Sequence, residues 1–292
     1  MGDPGIQGNF MKRDEILYQI MESLERLTPK PPNLPNFKKN HTFIWKDLPY
    51  RLEAINNVRA LNVDCLVGID DVKSILVENT RQFSAGYSAN NALLWGARGM
   101  GKSSLVKSVH SLFTASNLKL IEIRREDLGS LERLIVQIEN LKYRFIIFCD
   151  DLSFGTDDPE YKSLKALLDG GLQSKPRNII FYATSNRRHL MPREMIENEK
   201  SSAIYPSESV EEKISLSDRF GLWLGFYKCT QHDYFKMITS YAEMAGIKID
   251  HDTLCNEALV WQQTRGSRSG RVAWQFITDL AGRNNIDLSK IL

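Results

Sequence analysis

Apolar positions change their spacing along this 292-residue chain, and the changes divide it. Between residues 11 and 27, Ile16, Ile20, Leu24 and Leu27 recur at helical intervals among polar residues, which predicts an amphipathic helix. Four of the ten prolines then fall within residues 28–35, where fixed φ and missing amide donors predict an extended connector. From about residue 62, short β-branched and aromatic runs alternate with helical stretches, the pattern of a parallel α/β sheet. The predicted strands are residues 92–95, 118–123, 145–149, 179–184 and 222–226. Runs such as Phe145-Ile146-Ile147-Phe148-Cys149 lack polar alternation and so predict burial on both faces. Beyond Tyr227 three helices are expected, near residues 231–245, 251–264 and 269–283, with Gly246 and Gly266 as C-terminal stops. The expected organisation is an N-terminal helix and linker over residues 1–40, an α/β unit over 41–228 and a small helical unit over 229–292.

Composition excludes several classes. Hydrophobic residues make up 42% and charged residues 25%, close to globular averages, so the chain is expected to fold. The 38 basic and 36 acidic residues leave a net charge of +2, too little for bulk attraction to nucleic acid or membrane. Four separated cysteines form no CxxC pair, and no run reaches membrane-spanning or signal-peptide length. A cytoplasmic protein without membrane contact is expected.

One motif carries chemistry. The strand Ala92-Leu93-Leu94-Trp95 runs into Gly96-Ala97-Arg98-Gly99-Met100-Gly101-Lys102-Ser103, which fits GxxxxGK[ST], and the helix that follows begins near Ser104. Glycines let the backbone curl with its amides inward, and those amides, with a helix N-terminus, form a concave site for polyphosphate. Lys102 supplies a positive charge for the terminal phosphates, and the Ser103 hydroxyl is a candidate Mg²⁺ ligand. Forty-eight residues after Lys102, the buried run Phe145–Cys149 ends in Asp150-Asp151. Two carboxylates at the carboxyl end of a strand face the crevice where ligands bind in open α/β sheets. Asp150 is the candidate for holding Mg²⁺ and Asp151 for polarising an attacking water; an acidic pair that merely opens a turn is the bland alternative.

A phosphate loop, an acidic strand end, a polar residue ending the next strand and a small helical C-terminal unit together resemble the AAA+ ATPases. The runs NNALLWGARGMGKSSLVK, FIIFCDDLSF, YATSNRRHL, SLSDRFGLW and RGSRSGRVAWQF are similar to a bacterial AAA+ family of unknown function, over residues 60–285. The resemblance implies a P-loop sandwich with a parallel sheet and an all-α lid, binding ATP and Mg²⁺. It also assigns roles: Asn186 as the polar sensor of the γ-phosphate, Arg219 as the arginine finger acting in trans, and Arg271 as the lid sensor, with Arg268 as its rival. Val67 and Gly68 match the segment that packs on adenine. Asp151 stands where related ATPases more often carry Glu, which bears on turnover and not on binding. After the second predicted strand, Arg124-Arg125-Glu126-Asp127 lacks the aromatic of polypeptide-threading motors.

A finger in trans implies a homo-oligomer, as a ring or open ring. The expected function is ATP hydrolysis that remodels or loads a protein or protein–nucleic acid complex. The alternative is an ATP-dependent switch or adaptor of low turnover, and a kinase is a third reading that leaves the lid without a role. Residues 190–213, with six glutamates, are expected to form a surface insertion, and Arg187 and Arg188, with His189, a basic patch that is a solvated turn, supplies one trans-acting arginine or binds a partner's phosphate. Protein partners are implied but not specified, and nucleic acid has only the arginine-rich last 31 residues in its favour.

Overall fold

The computed structural model describes residues 16–17, 19–20, 34–56, 58, 60–154, 160–169, 176–188, 190 and 216–288. Seven strands form one sheet in the order β2-β1-β4-β5-β6-β3-β7. They span Thr42–Lys46 (β1), Arg51–Ala54 (β2), Ala92–Gly96 (β3), Leu118–Glu122 (β4), Arg144–Cys149 (β5), Ile179–Ser185 (β6) and Leu222–Phe226 (β7). All pairings are parallel except that of β1 with β2, so one antiparallel strand closes one edge. The five expected strands appear within two residues of their predicted ends.

The hairpin of β1 and β2 was not anticipated. Phe43 and Trp45 alternate inward and are fully buried, and the Trp45 indole Nε1 donates to Ser130 Oγ at 2.8 Å. Alternation of this kind marks a strand buried on one face. Phe37 stacks against Phe43, Tyr143 and Phe145, so the chain entering the sheet is anchored at the start of β5.

Helices cover both faces, as burial of continuous apolar strands requires. They are α1 (Asp70–Ser84), α2 (Lys102–Leu112), α3 (Leu131–Ile138), α4 (Glu160–Asp169), α5 (Gln231–Met244), α6 (His251–Arg265) and α7 (Gly270–Arg283). One apolar cluster joins α1, α2 and the C-terminal helices to the sheet through Leu66, Ile69, Leu94, Met237 and Tyr241. The second, on the other face, joins α3 and α4 through Leu134, Ile147, Phe181 and Leu164. Asn79 Nδ2 donates to the Tyr182 hydroxyl at 3.0 Å, and Thr80 Oγ1 lies 2.8 Å from it, so the phenol is satisfied inside the first cluster. Burial pushes that phenol up to about 12.

The C-terminal helices begin and stop on readable signals. Thr230 and Asp233 form a capping box on α5, Asp250 caps α6 and Ser269 caps α7. Gly246 and Gly266 follow α5 and α6 as expected. The expected N-terminal helix, the connector and the insertion of residues 190–213 lie almost wholly outside the described residues. Of the N-terminal helix, Ile16, Leu17 and Ile20 are described as helical and about half exposed. Of the insertion only the first residue is described: Leu190 is buried, and its carbonyl accepts from the Phe154 amide at 2.9 Å.

Candidate functional site

The carboxyl ends of β3, β5 and β6 meet at a cavity of about 670 Å³. The phosphate loop enters it directly from β3. Gly96 leaves the strand at φ 128°, and a side chain there would overlap the Phe226 carbonyl of β7, so the loop turns against bare backbone. Gly99 has φ 73°, and a Cβ would come within 2.9 Å of Ser269 Oγ and 3.1 Å of Arg271 Cβ. That close approach brings α7 onto the loop, where the Arg271 amide donates to the Gly99 carbonyl at 3.0 Å.

Gly99 to Ser104 line the cavity, with Arg98 before them. Lys102 opens α2 and is 7% exposed. Its ammonium donates to the Gly96 and Ala97 carbonyls at 3.0 and 2.8 Å and to Asn186 Oδ1 at 3.1 Å. Burial pulls its pKa below the ordinary lysine range, against the opposing pull of Asp151 and Asp150. Gly96 and Ala97 serve as acceptors for Lys102 through their carbonyls.

The two carboxylates share one polar network. Ser103 Oγ donates to Asp150 Oδ1 at 2.6 Å, and Thr184 Oγ1 donates to the same oxygen at 2.5 Å. Thr184 Oγ1 also accepts the Asp151 amide at 2.9 Å, which holds the chain as it leaves β5 with Asp151 at φ 52°. A non-glycine residue in that region is uncommon and worth about 1–3 kcal/mol of strain, offset here by the anchoring threonine. Asn186 Nδ2 donates to Asp151 Oδ1 at 2.5 Å while its own Oδ1 accepts from Lys102. Serine, both aspartates, threonine, asparagine and lysine therefore form one connected chain of hydrogen bonds across three strand ends.

Thr184 is the residue that sequence reasoning missed. It is 2% exposed, and its signal was a hydroxyl two residues before Asn186 at the end of an otherwise apolar strand.

The opposite wall of the cavity is apolar, formed by Leu61, Leu66, Val67 and Ile69, with Met237, Tyr241 and Trp274 from the C-terminal helices. Gly68 turns this segment at φ 77° beside Asp233, and Val67, not Gly68, is the one that lines the cavity. Arg271 lines it too, whereas its rival Arg268 does not. Arg219 is outside: its guanidinium pairs with Asp169 at the end of α4, not with the neighbouring Asp218.

The donor set fits a magnesium nucleotide. Ser103 Oγ and the Asp150 carboxylate converge. Magnesium bound by one or two protein oxygens, with substrate phosphates and water completing its shell, matches that sparse set.

Sheet order, phosphate loop and capping helices define the fold of the AAA+ P-loop ATPases. The chain belongs to the family described as "Protein of unknown function (DUF815)", whose model matches residues 38–284. Among solved structures it is similar to the Aeropyrum pernix Orc1 protein in complex with DNA, at 15% identity and a TM-score of 0.50, covering 76% of this chain and 65% of that one. It is also similar to the Thermotoga maritima RuvB Holliday junction branch migration motor, at 15% identity and a TM-score of 0.45, covering 80% and 75%. Comparison with curated proteins finds no match. No helix among the described residues is long and apolar enough to cross a membrane.

Proposed function

We propose that the chain is an ATP hydrolase whose working form is a homo-oligomer, and that hydrolysis drives remodelling or loading of a protein or protein–nucleic acid complex in the cytoplasm. The observation that carries this reading is the single cavity where Gly99–Ser104, Asp150, Asp151, Asn186 and Arg271 meet. Loop amides and the N-terminus of α2 hold the phosphates, and Lys102 exchanges its loop carbonyls for phosphate oxygens of higher charge. Val67 and the apolar wall take the base. Magnesium, when bound by Ser103 and Asp150, neutralises charge on the phosphates. Asp151 orients the attacking water, and Asn186, already bonded to both Asp151 and Lys102, aligns that carboxylate with the terminal phosphate.

Residues 229–292 act as a lid, with Arg271 reporting the state of the phosphate through the Gly99 contact. Arg219 completes the site of a neighbouring copy. A second reading, the low-turnover switch, draws on one observation: the short Asp151 side chain is held 2.5 Å from Asn186 in place of the longer reach of a glutamate. Steady-state phosphate release separates the two. Turnover that depends on protein concentration and collapses in Arg219→Ala supports the hydrolase; tight ATP binding with one slow turnover, indifferent to Arg219, supports the switch.

A further inference from the structure

A second groove, of about 630 Å³, borders the phosphate loop where β3, β6 and β7 end. Arg98, Arg187, Arg188 and Lys228 line it together with Trp95 and Tyr227, and no carboxylate among the described residues does. A chain of net charge +2 thus gathers four cations at one place.

Strand register explains the aromatic half. In the parallel pairing of β3 with β7, Trp95 stands opposite Gly225. A Cβ at Gly225 would lie 3.0 Å from the Trp95 ring and 3.3 Å from the Tyr227 hydroxyl, so the missing side chain is what lets the two rings meet across the strand. They meet edge to face, with centroids 6.0 Å apart and planes at 80°. On the β6 side the Arg188 guanidinium stands 5.3 Å from the centre of the Trp95 ring. Trp95 is therefore engaged, while Tyr227 remains 75% exposed beside Lys228.

We propose that this groove binds single-stranded nucleic acid, with backbone phosphates on Arg187, Arg188 and Lys228 and an unstacked base against Tyr227. Cations that track a phosphate backbone, combined with an exposed ring, are the two components of sequence-tolerant single-strand binding. An acidic polypeptide would use the cations and leave the exposed part of the Tyr227 ring unused. A duplex keeps its bases stacked inside and offers Tyr227 no face. Arg98 and Asn186 line both this groove and the cavity proposed for ATP, so a bound strand would border that cavity. The inference stands whether or not that cavity hydrolyses ATP.

The test is fluorescence anisotropy of a labelled oligothymidylate of about 20 nucleotides, titrated with the full chain at several salt concentrations. Three phosphate contacts predict a log–log salt slope of about −2. Tyr227→Ala should weaken binding about tenfold without altering the slope, and Tyr227→Phe should stay within about twofold of wild type. Lys228→Ala should lower the slope by about 0.7. Calorimetric ATP binding should be unchanged in all three variants, which separates failure of this groove from failure of the ATP site. The inference is overturned by any of three results: no binding at low salt, Tyr227→Ala binding as well as wild type, or a duplex or polyglutamate competing as well as the single strand.

Discussion

Arg271 and Arg219 were both candidates for the terminal phosphate, and the structure treats them differently. Arg271 lines the cavity at the strand ends, its amide bonded to the phosphate loop, whereas Arg219 lies outside it in an ion pair with Asp169. The loop, Asp150, Asp151, Asn186 and Arg271 are brought together by one chain, through strands that are neighbours in a single sheet. The segment holding Arg219 precedes β7 at the sheet edge and reaches none of them. Arg219 therefore takes no part in the cavity of its own chain. The contrast teaches that binding and turnover should separate by mutation.

The largest effect is expected at the complete half of the comparison. Asp150→Ala removes the acceptor shared by Ser103 and Thr184 and should lower ATP turnover by about 10⁴-fold, measured as phosphate release. Arg219→Ala should lower turnover by about 10³-fold while ATP affinity stays within about threefold. Mixing Arg219→Ala with Lys102→Ala subunits sharpens the point, because each supplies what the other lacks at a shared interface. Activity regained on mixing places the arginine in trans, and a mixture no better than its parts would put Arg219 in a purely local role. Asp151→Glu should raise turnover about tenfold by restoring the reach of a longer carboxylate.

A further effect concerns stability behind the loop. His110 on α2 is buried, and burial draws its pKa from 6.5 to about 4, with Lys119 and His41 adding to the lowering. The unfolded chain therefore takes up this proton first. Stability is complete above pH 6.5 and is lost as pH falls toward 4, by about 3 kcal/mol at most. Thermal melts across that window should steepen in wild type and flatten in His110→Gln.

Much of this was legible because it is local. A phosphate loop is eight consecutive residues, and strands buried on both faces announce themselves by uninterrupted apolar runs. Gly246 and Gly266 ended their helices for the same local reason. What escaped depended on pairing. Phe43 and Trp45 alternate, but so short a strand is fixed by its pairing with β2 and β4 and not by its own pattern. Thr184 matters because β6 lies beside β5, and the two rings of the basic groove meet where Gly225 stands opposite Trp95. That Arg271 and not Arg268 lines the cavity depends on the turn before α7, which sets the Arg271 amide on the Gly99 carbonyl.

The central claim is that a magnesium triphosphate lodges at the strand ends under Lys102. Calorimetric titration of ATP with Mg²⁺ into the wild-type chain and into Lys102→Ala tests it directly. One site per chain is expected in the wild type, and heat reduced to dilution in the variant. Equal heats from the two proteins, or none from the wild type, would contradict it.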